Sequence, residues 1–409
     1  MKLKSLPFFL SAFISLNSYS QNNRAIAITG QSSGNYNWVD IREIDLATGT
    51  VVKTIFESGK TNFIYTSNFK KDNFNNLEIT NVQTSPTQSQ VAAAAFDIKN
   101  NKLFFMPFKG FELVWLDMND QNDKLKFYSV QTNLPDINFA DEANNITRMT
   151  IGSDQYGYAI TNDGNHLIQF STGIKTVIKD LGGLIDANEN KSVSIHNKCT
   201  SWGGDIVADA YGKLYLFSAS NNVFKIDPQN RLATFKGSIK NLPSTYSVNG
   251  AAVDTDDQVV VSSANTFEGF YRIDINQLSS TKLPTNGQVF NASDLANGNL
   301  LFQNKLINEF QQSALPNTNF SGNDFISIYP NPIIGTEFKV NFDKVKSGKY
   351  NLILTDVQGR TILNKEILIK AGSHVELLTL KKKLSGGLYF IKVYDPFNKS
   401  VFSDKVMIN

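Results

Sequence analysis

The sequence predicts an all-β chain in two parts, a β-propeller followed by a small C-terminal β-sandwich. Between residues 24 and 310 the apolar residues come in runs of four to seven with period-two alternation. Val, Ile, Phe and Tyr fill the runs, and Asn, Gly and Asp cluster between them. Two local patterns recur along this stretch. The charge also changes sign: residues 325–409 hold 13 basic and 7 acidic side chains, whereas residues 21–324 hold 24 and 30. Opposite net charges on two segments mark separate modules.

The first recurring pattern is a strand that ends on an apolar residue and then Asp. Its copies are Ile44-Asp45, Leu116-Asp117, Ile226-Asp227 and Ile273-Asp274, with a degenerate copy at Phe170-Ser171. The intervals between them are 72, 54, 56 and 47 residues. A repeat of roughly 40 to 50 residues holding four strands is the mark of a propeller blade. One such sheet is apolar on both faces, so blades stack radially until the ring closes. Six blades fit residues 21–310 best, with five or seven as alternatives. The long first interval is read as an inserted loop around residues 61–90.

The second pattern is a hairpin. Val207-Ala208-Asp209-Ala210-Tyr211-Gly212-Lys213-Leu214 resembles Ala252-Val253-Asp254-Thr255-Asp256-Asp257-Gln258-Val259, with weaker relatives at Phe96, Ser153 and Leu295. The N-terminal strands, near residues 25–29, 38–44 and 51–56, are expected to share a blade with the last ones, near 289–294 and 299–303. That arrangement closes the ring.

The ends of the propeller segment carry different signals. Lys2 and Lys4, the apolar Leu6–Leu16 and the small residues Ser18 and Ser20 predict a signal peptide over residues 1–20, leaving a chain that starts near Gln21. Eleven apolar residues are too few to span a bilayer as a helix, which needs about twenty. No transmembrane segment is therefore expected. Residues 311–324 are polar, contain Pro and Gly, and read as a linker. A single cysteine, Cys199, excludes an intramolecular disulfide, and a formal net charge of +2 gives no reason to expect a nucleic-acid partner.

Within residues 325–409 lie Tyr329-Pro330-Asn331-Pro332, then Asp356-Val357-Gln358-Gly359-Arg360, Gly387-Leu388-Tyr389-Phe390-Ile391-Lys392-Val393 and the terminal Lys405-Val406-Met407-Ile408. Proline cannot donate to a sheet ladder, so Pro330 and Pro332 mark an edge-strand boundary. Gly359 suits a turn needing positive φ, and Arg360 is placed to pair with Asp356. In order and spacing these motifs resemble the type A C-terminal sorting domain of type IX secretion, found in Bacteroidetes. The resemblance implies passage across the outer membrane by the type IX machinery, frequent removal of the domain there, and surface lipopolysaccharide attachment or release of the cargo.

Chemistry in the body is sparse. His166 and His196 are its only histidines, and no zinc-protease, nucleophile-elbow or phosphate-loop motif occurs. His196 near Cys199 imitates a Cys–His pair, but a free cysteine in an exported protein is more simply a buried residue. The oxygen-rich Asp254–Asp257 and Asp186–Asn190 invite Ca²⁺, yet neither follows the calcium-loop pattern. No cofactor is assigned, with Ca²⁺ left open.

If the strand before each hairpin is innermost, Arg148, Asp205, Asn249 and Asn291 stand at comparable offsets around the central channel, with Trp202 beside them. Such a ring either holds a polar ligand or glycan, or its members bond one another and ordered water. The functional expectation is a secreted or surface-displayed binding or adhesion propeller, with no catalytic residue assigned. The alternative is a propeller hydrolase, lyase or lactonase, which two carboxylates meeting within about 6 Å at the channel mouth would favour.

Overall fold

The computed structural model describes residues 22–68, 85–108, 112–119, 124–307 except 133, 135, 136, 139, 174 and 286, and 325–408 except 357, 358, 371, 385, 398 and 399. The signal peptide and the linker both lie outside the described residues. The chain divides into two compact units, residues 1–304 and 305–409.

The first unit contains five antiparallel sheets of the blade type. From inside outward, blade II runs Val91–Asp97, Lys102–Pro107, Glu112–Asp117 and Leu125–Gln131. Blade III runs Ile146–Ile151, Tyr156–Thr161, Leu167–Ser171 and Ile178–Asp180. Blade IV runs Asp205–Ala208, Leu214–Phe217, Asn222–Asp227 and Leu232–Ser238; blade V runs Gly250–Val253, Val259–Ser262, Tyr271–Asp274 and Ser279–Lys282. Blade I is composite. Ala292–Ala296 from the end of the unit pairs antiparallel with Arg24–Thr29, and Asp40–Asp45 and Val51–Phe56 follow outward. The closure expected from sequence is thus present, built by one C-terminal strand.

The five first strands touch one another in a cycle, I to II to III to IV to V and back to I. A closed cycle of inner strands is a propeller. The described sheets number five, so the preferred count of six is corrected to five. Residues 295–300 resemble the repeated hairpin in sequence but form no further blade. Ala292–Ala296 is instead the inner strand of blade I, and Leu301 beyond it makes only a parallel bridge to Asp209. Part of the long first interval is an extra strand, Phe63–Asn68, added parallel to Leu125–Gln131 on the rim of blade II.

Burial explains why the ring forms. Five hydrophobic clusters fill the five junctions between neighbouring blades. Between blades I and II, Phe56 and Phe127 meet edge-to-face with centroids 5.2 Å apart; between II and III, Phe104 and Phe170 are 5.4 Å apart. Each fully buried Phe contributes roughly 1.5–3 kcal/mol, which a lone sheet would forfeit on both faces.

The repeated aspartates end the third strand of each blade. Asp45, Asp117, Asp227 and Asp274 each accept the N–H two residues ahead, at 2.9, 3.0, 3.1 and 2.8 Å. In the degenerate copy the Ser171 hydroxyl accepts from Val177 N–H at 2.9 Å. These side chains fold the turn by imitating a backbone carbonyl. Asp97, Asp154, Asp209 and Asp254 do the same after the inner strand.

The second unit is a sandwich of a three-stranded sheet (Phe325–Tyr329, Glu337–Val345, Gly372–Thr379) and a four-stranded one (Thr361–Ile369, Gly348–Asp356, Gly387–Tyr394, Ser400–Ile408). Phe338, Val340 and Phe342 from one sheet share a core with Leu352, Leu354, Ile391 and Val393 from the other.

Candidate functional site

Of the channel positions singled out in the sequence, Arg148, Asp205 and Asn291 are buried, and the structure gathers all five into two groups. Arg148, on the inner strand of blade III, is wholly buried. Its guanidinium donates to the carbonyls of Gly203 at 2.8 Å, Thr161 at 3.2 Å and Ser201. Burial pushes its pKa down to about 9, opposed by the carboxylates of Asp163 and Asp205. Trp202 lies between two of the carbonyls that Arg148 binds; its indole N–H donates to His196 O at 3.1 Å and Lys198 sits over its ring. Arg148 and Trp202 therefore fasten the segment entering blade IV.

Asp205 opens the inner strand of blade IV and is fully buried. Its carboxylate accepts the N–H of Ile206 and, across the junction with blade V, the N–H of Ala251, both at 2.7 Å. Gly204 before it has φ +89°, and a Cβ there would fall 1.8 Å from Phe217 O, so only glycine fits this approach.

The second group holds one peptide from both ends. Asn249 Oδ1 accepts from Ala264 N–H at 3.0 Å, and Asn291 Nδ2 donates to Ala264 O at 2.8 Å. Asn249 also accepts from the Ser247 hydroxyl at 2.9 Å.

A further carboxylate carries no repeat signal in the sequence. Asp294, within the closing strand, is wholly buried, and neither carboxyl oxygen has a hydrogen-bond partner among the described residues. Burial, reinforced by the charge of Asp205, drives its pKa well above the carboxylate range. The charge of Asp205 is thus felt at Asp294, with both carboxyls inside the protein and away from solvent.

The other candidates resolve simply. His166 pairs with Asp180 at 2.6 Å. The ring nitrogens of His196 face the carbonyls of Asp163 and Leu184. Cys199 is exposed on the short helix Lys198–Ser201, which corrects the expectation of a buried thiol. Asp254 pairs with Arg272 at 2.8 Å, and Asp186 accepts from Ser194, Ile195 and Asn190. Among the described residues no group of three or more His, Cys, Asp or Glu side chains is placed to hold a metal ion.

Open space lies elsewhere, in a groove of about 200 Å³ between blades I and II, beside the first described residues. Ile26, Ile55, Phe96, Ile98 and Met118 give it apolar walls. Polar groups line it too: Arg24 and Glu43, paired at 3.1 Å, with Lys53, Asn101 and Asn297. Its lining joins residues near 24, 53, 98 and 297, too far apart in the chain for spacing to reveal.

In the second unit the motifs are joints. Asn331 Nδ2 donates to Lys405 O at 3.0 Å, its Oδ1 accepts from Met407 N–H at 2.9 Å, and Ile333 N–H donates to Met407 O at 2.7 Å. The Tyr329-Pro330-Asn331-Pro332 segment thus clips onto the last strand, directly after the edge strand that ends at Tyr329. Asp356 accepts from the Arg360 N–H at 2.9 Å and from its Nε at 2.6 Å, around a turn with Gly359 at φ +79°. Tyr389 is buried in the sandwich core, Leu388 and Gly387 are half-buried, and Lys392 is exposed.

These joints belong to a known class of module. Residues 327–409 match the family described as a secretion system C-terminal sorting domain. The second unit is a type IX sorting domain, and it marks the protein for export to the cell surface or beyond. Comparison with curated proteins finds no match. Among solved structures, the chain aligns with PorZ, a surface component of the type IX system of Porphyromonas gingivalis, at 14% identity and TM-score 0.32, covering 92% of this chain and 51% of PorZ. The chain thus spans about half the length of PorZ. A streptogramin B lyase aligns at 14% identity and TM-score 0.36, with 69% and 89% covered. A protein of unknown function from Bacteroides thetaiotaomicron aligns at 11% identity and TM-score 0.38, with 67% and 70% covered. Among the described residues no helix is long and apolar enough to cross a membrane.

Proposed function

We propose that this protein is an exported binding propeller that takes a polar ligand of the glycan type in the groove between blades I and II. The groove is the observation that carries the reading. A sugar ring has an apolar C–H face and a rim of hydroxyls; Phe96, Ile98 and Met118 suit the face, and Asn101, Lys53 and Glu43 suit the rim. The sorting domain delivers this surface outside the cell, where lipopolysaccharide attachment retains it or release frees it. The rival reading, a hydrolase, lyase or lactonase working in the channel, needs carboxylates that a substrate can reach. Asp205 and Asp294 are both fully buried, which favours binding.

A glycan array probed with the full exported chain, followed by calorimetry on the best hit, tests the proposal. Lys53→Glu and Asn101→Ala are expected to weaken that binding at least tenfold while leaving the thermal midpoint within a degree or two. Unchanged affinity in both variants refutes the groove.

A further inference from the structure

In a propeller the innermost strands turn one edge toward the axis, so their N–H groups there lack a strand partner. Asp205 supplies acceptors for two, Ile206 N–H and Ala251 N–H. Ala251 follows Gly250, which lies so close to blade I that an added Cβ would stand 2.7 Å from both the carbonyl carbon of Asp294 and Leu295 N. The carboxylate of Asp205 and the backbone of Asp294 therefore meet at the same Gly250–Ala251 segment of blade V. Asp294 belongs to Ala292–Ala296, the strand that closes the ring against Arg24–Thr29.

We propose that Asp205 and Asp294 form a proton-operated clasp on the closing strand. The pair holds one proton at neutral pH, and losing it loosens the strand. Two like charges in a dry interior cannot both ionise cheaply, so one carboxyl keeps its proton. The environments assign the roles. Asp205, fixed by two short N–H bonds, is the ionised member, because amide donors stabilise a carboxylate. Asp294, with no partner on either oxygen, is the protonated one.

The surrounding charges leave this assignment standing. From blade III, Arg148 faces Asp205 and is itself faced by Asp163, but three backbone carbonyls already engage its guanidinium. Blade V donates the Ala251 N–H to Asp205, blades III and I turn the N–H groups of Met149 and Leu295 toward it, and the Ala94 N–H of blade II faces Asp294 outside hydrogen-bond geometry. Burial raises both carboxyls well above their usual range, and the charge of Asp205 raises Asp294 further.

The sign follows from linkage. The folded chain binds the shared proton more tightly than the unfolded chain, whose aspartates titrate near 4. Stability therefore falls as pH rises from about 4 through the folded pair's titration, and levels off above it.

All three tryptophans, Trp38, Trp115 and Trp202, lie in the propeller, so their fluorescence in the full chain reports this unit alone. Urea unfolding between pH 4 and 9 is expected to show the wild-type folding constant dropping by up to tenfold per pH unit across that window. Asp294→Asn is expected to flatten this dependence and to exceed wild type in stability at pH 8. The same slope in Asp294→Asn overturns the clasp. Recovery of wild-type stability at pH 8 by added Ca²⁺, absent from Asp294→Asn, also overturns it, by making the pair a metal site. Carboxyl ¹³C NMR of aspartate-labelled wild type covers the case in which the variant fails to fold. One aspartate is expected to remain protonated at pH 7, and a fully ionised set refutes the proposal.

Discussion

Replacing Arg148 by lysine separates a geometric role from a simple need for positive charge. The guanidinium makes three bonds to the carbonyls of Gly203, Thr161 and Ser201 from a fully buried position, and burial pushes its pKa down to about 9. Lysine carries its donors on one nitrogen that reaches less far than the guanidinium, so it cannot span carbonyls set out for a planar fork. At least two bonds are lost, each worth about 1.5 kcal/mol for a charged donor, giving about 3 kcal/mol. The remaining ammonium is still buried, and lysine sheds its proton in such places more readily than arginine does. Urea unfolding at pH 7 followed by tryptophan emission is the assay. With a slope near 3 kcal/mol per molar for a unit of this size, the midpoint drops by about 1 M. A drop below about 0.3 M, or one equal to that of a surface Arg→Lys control, refutes the argument that the fork matters.

Other outcomes follow from the same contacts. Asp274→Ala removes the acceptor for the N–H groups of Asn276 at 2.8 Å and Gln277 at 3.2 Å. It is expected to cost about 1 kcal/mol, and a double variant with Asp117→Ala in another blade to cost the sum. Non-additive loss in urea titrations would mean the turns are coupled through the ring. Deleting residues 325–409 is expected to leave the propeller in the periplasm, as cell fractionation would show; normal surface display of that truncation contradicts the assignment of the tail.

The blade repeat was legible because turn chemistry repeats with it. Asp45, Asp117, Ser171, Asp227 and Asp274 each end the third strand of one blade, so this set itself numbers five. The count of six went beyond the repeat itself; the composite blade, in which Ala292–Ala296 joins strands from the far end of the chain, was legible in the sequence. The sorting motifs were legible as well, since Asn331 and Asp356 act through local turns or a clip to the last strand. Arg148 and Asp205 were found by their offsets around the ring, but which neighbours they bond depends on how blades III, IV and V face one another. Asp294 escaped notice because nothing in Ala292–Ala296 distinguishes a polar residue aimed inward from one aimed at solvent. The groove escaped because its walls come from the segments that ring closure brings together.

The composite first blade imposes an order of events on a chain made from its N-terminus. Arg24–Thr29 gains its inner neighbour only after about 270 further residues have emerged, so the earliest strands must wait with an open margin. That margin is a ready template for association with other chains. Because Ala296 and Phe325 are separated by fewer than thirty residues, the last stave of the ring and the export label are synthesised almost together. A chain interrupted before residue 292 therefore lacks both at once: it is left sticky and without a route out.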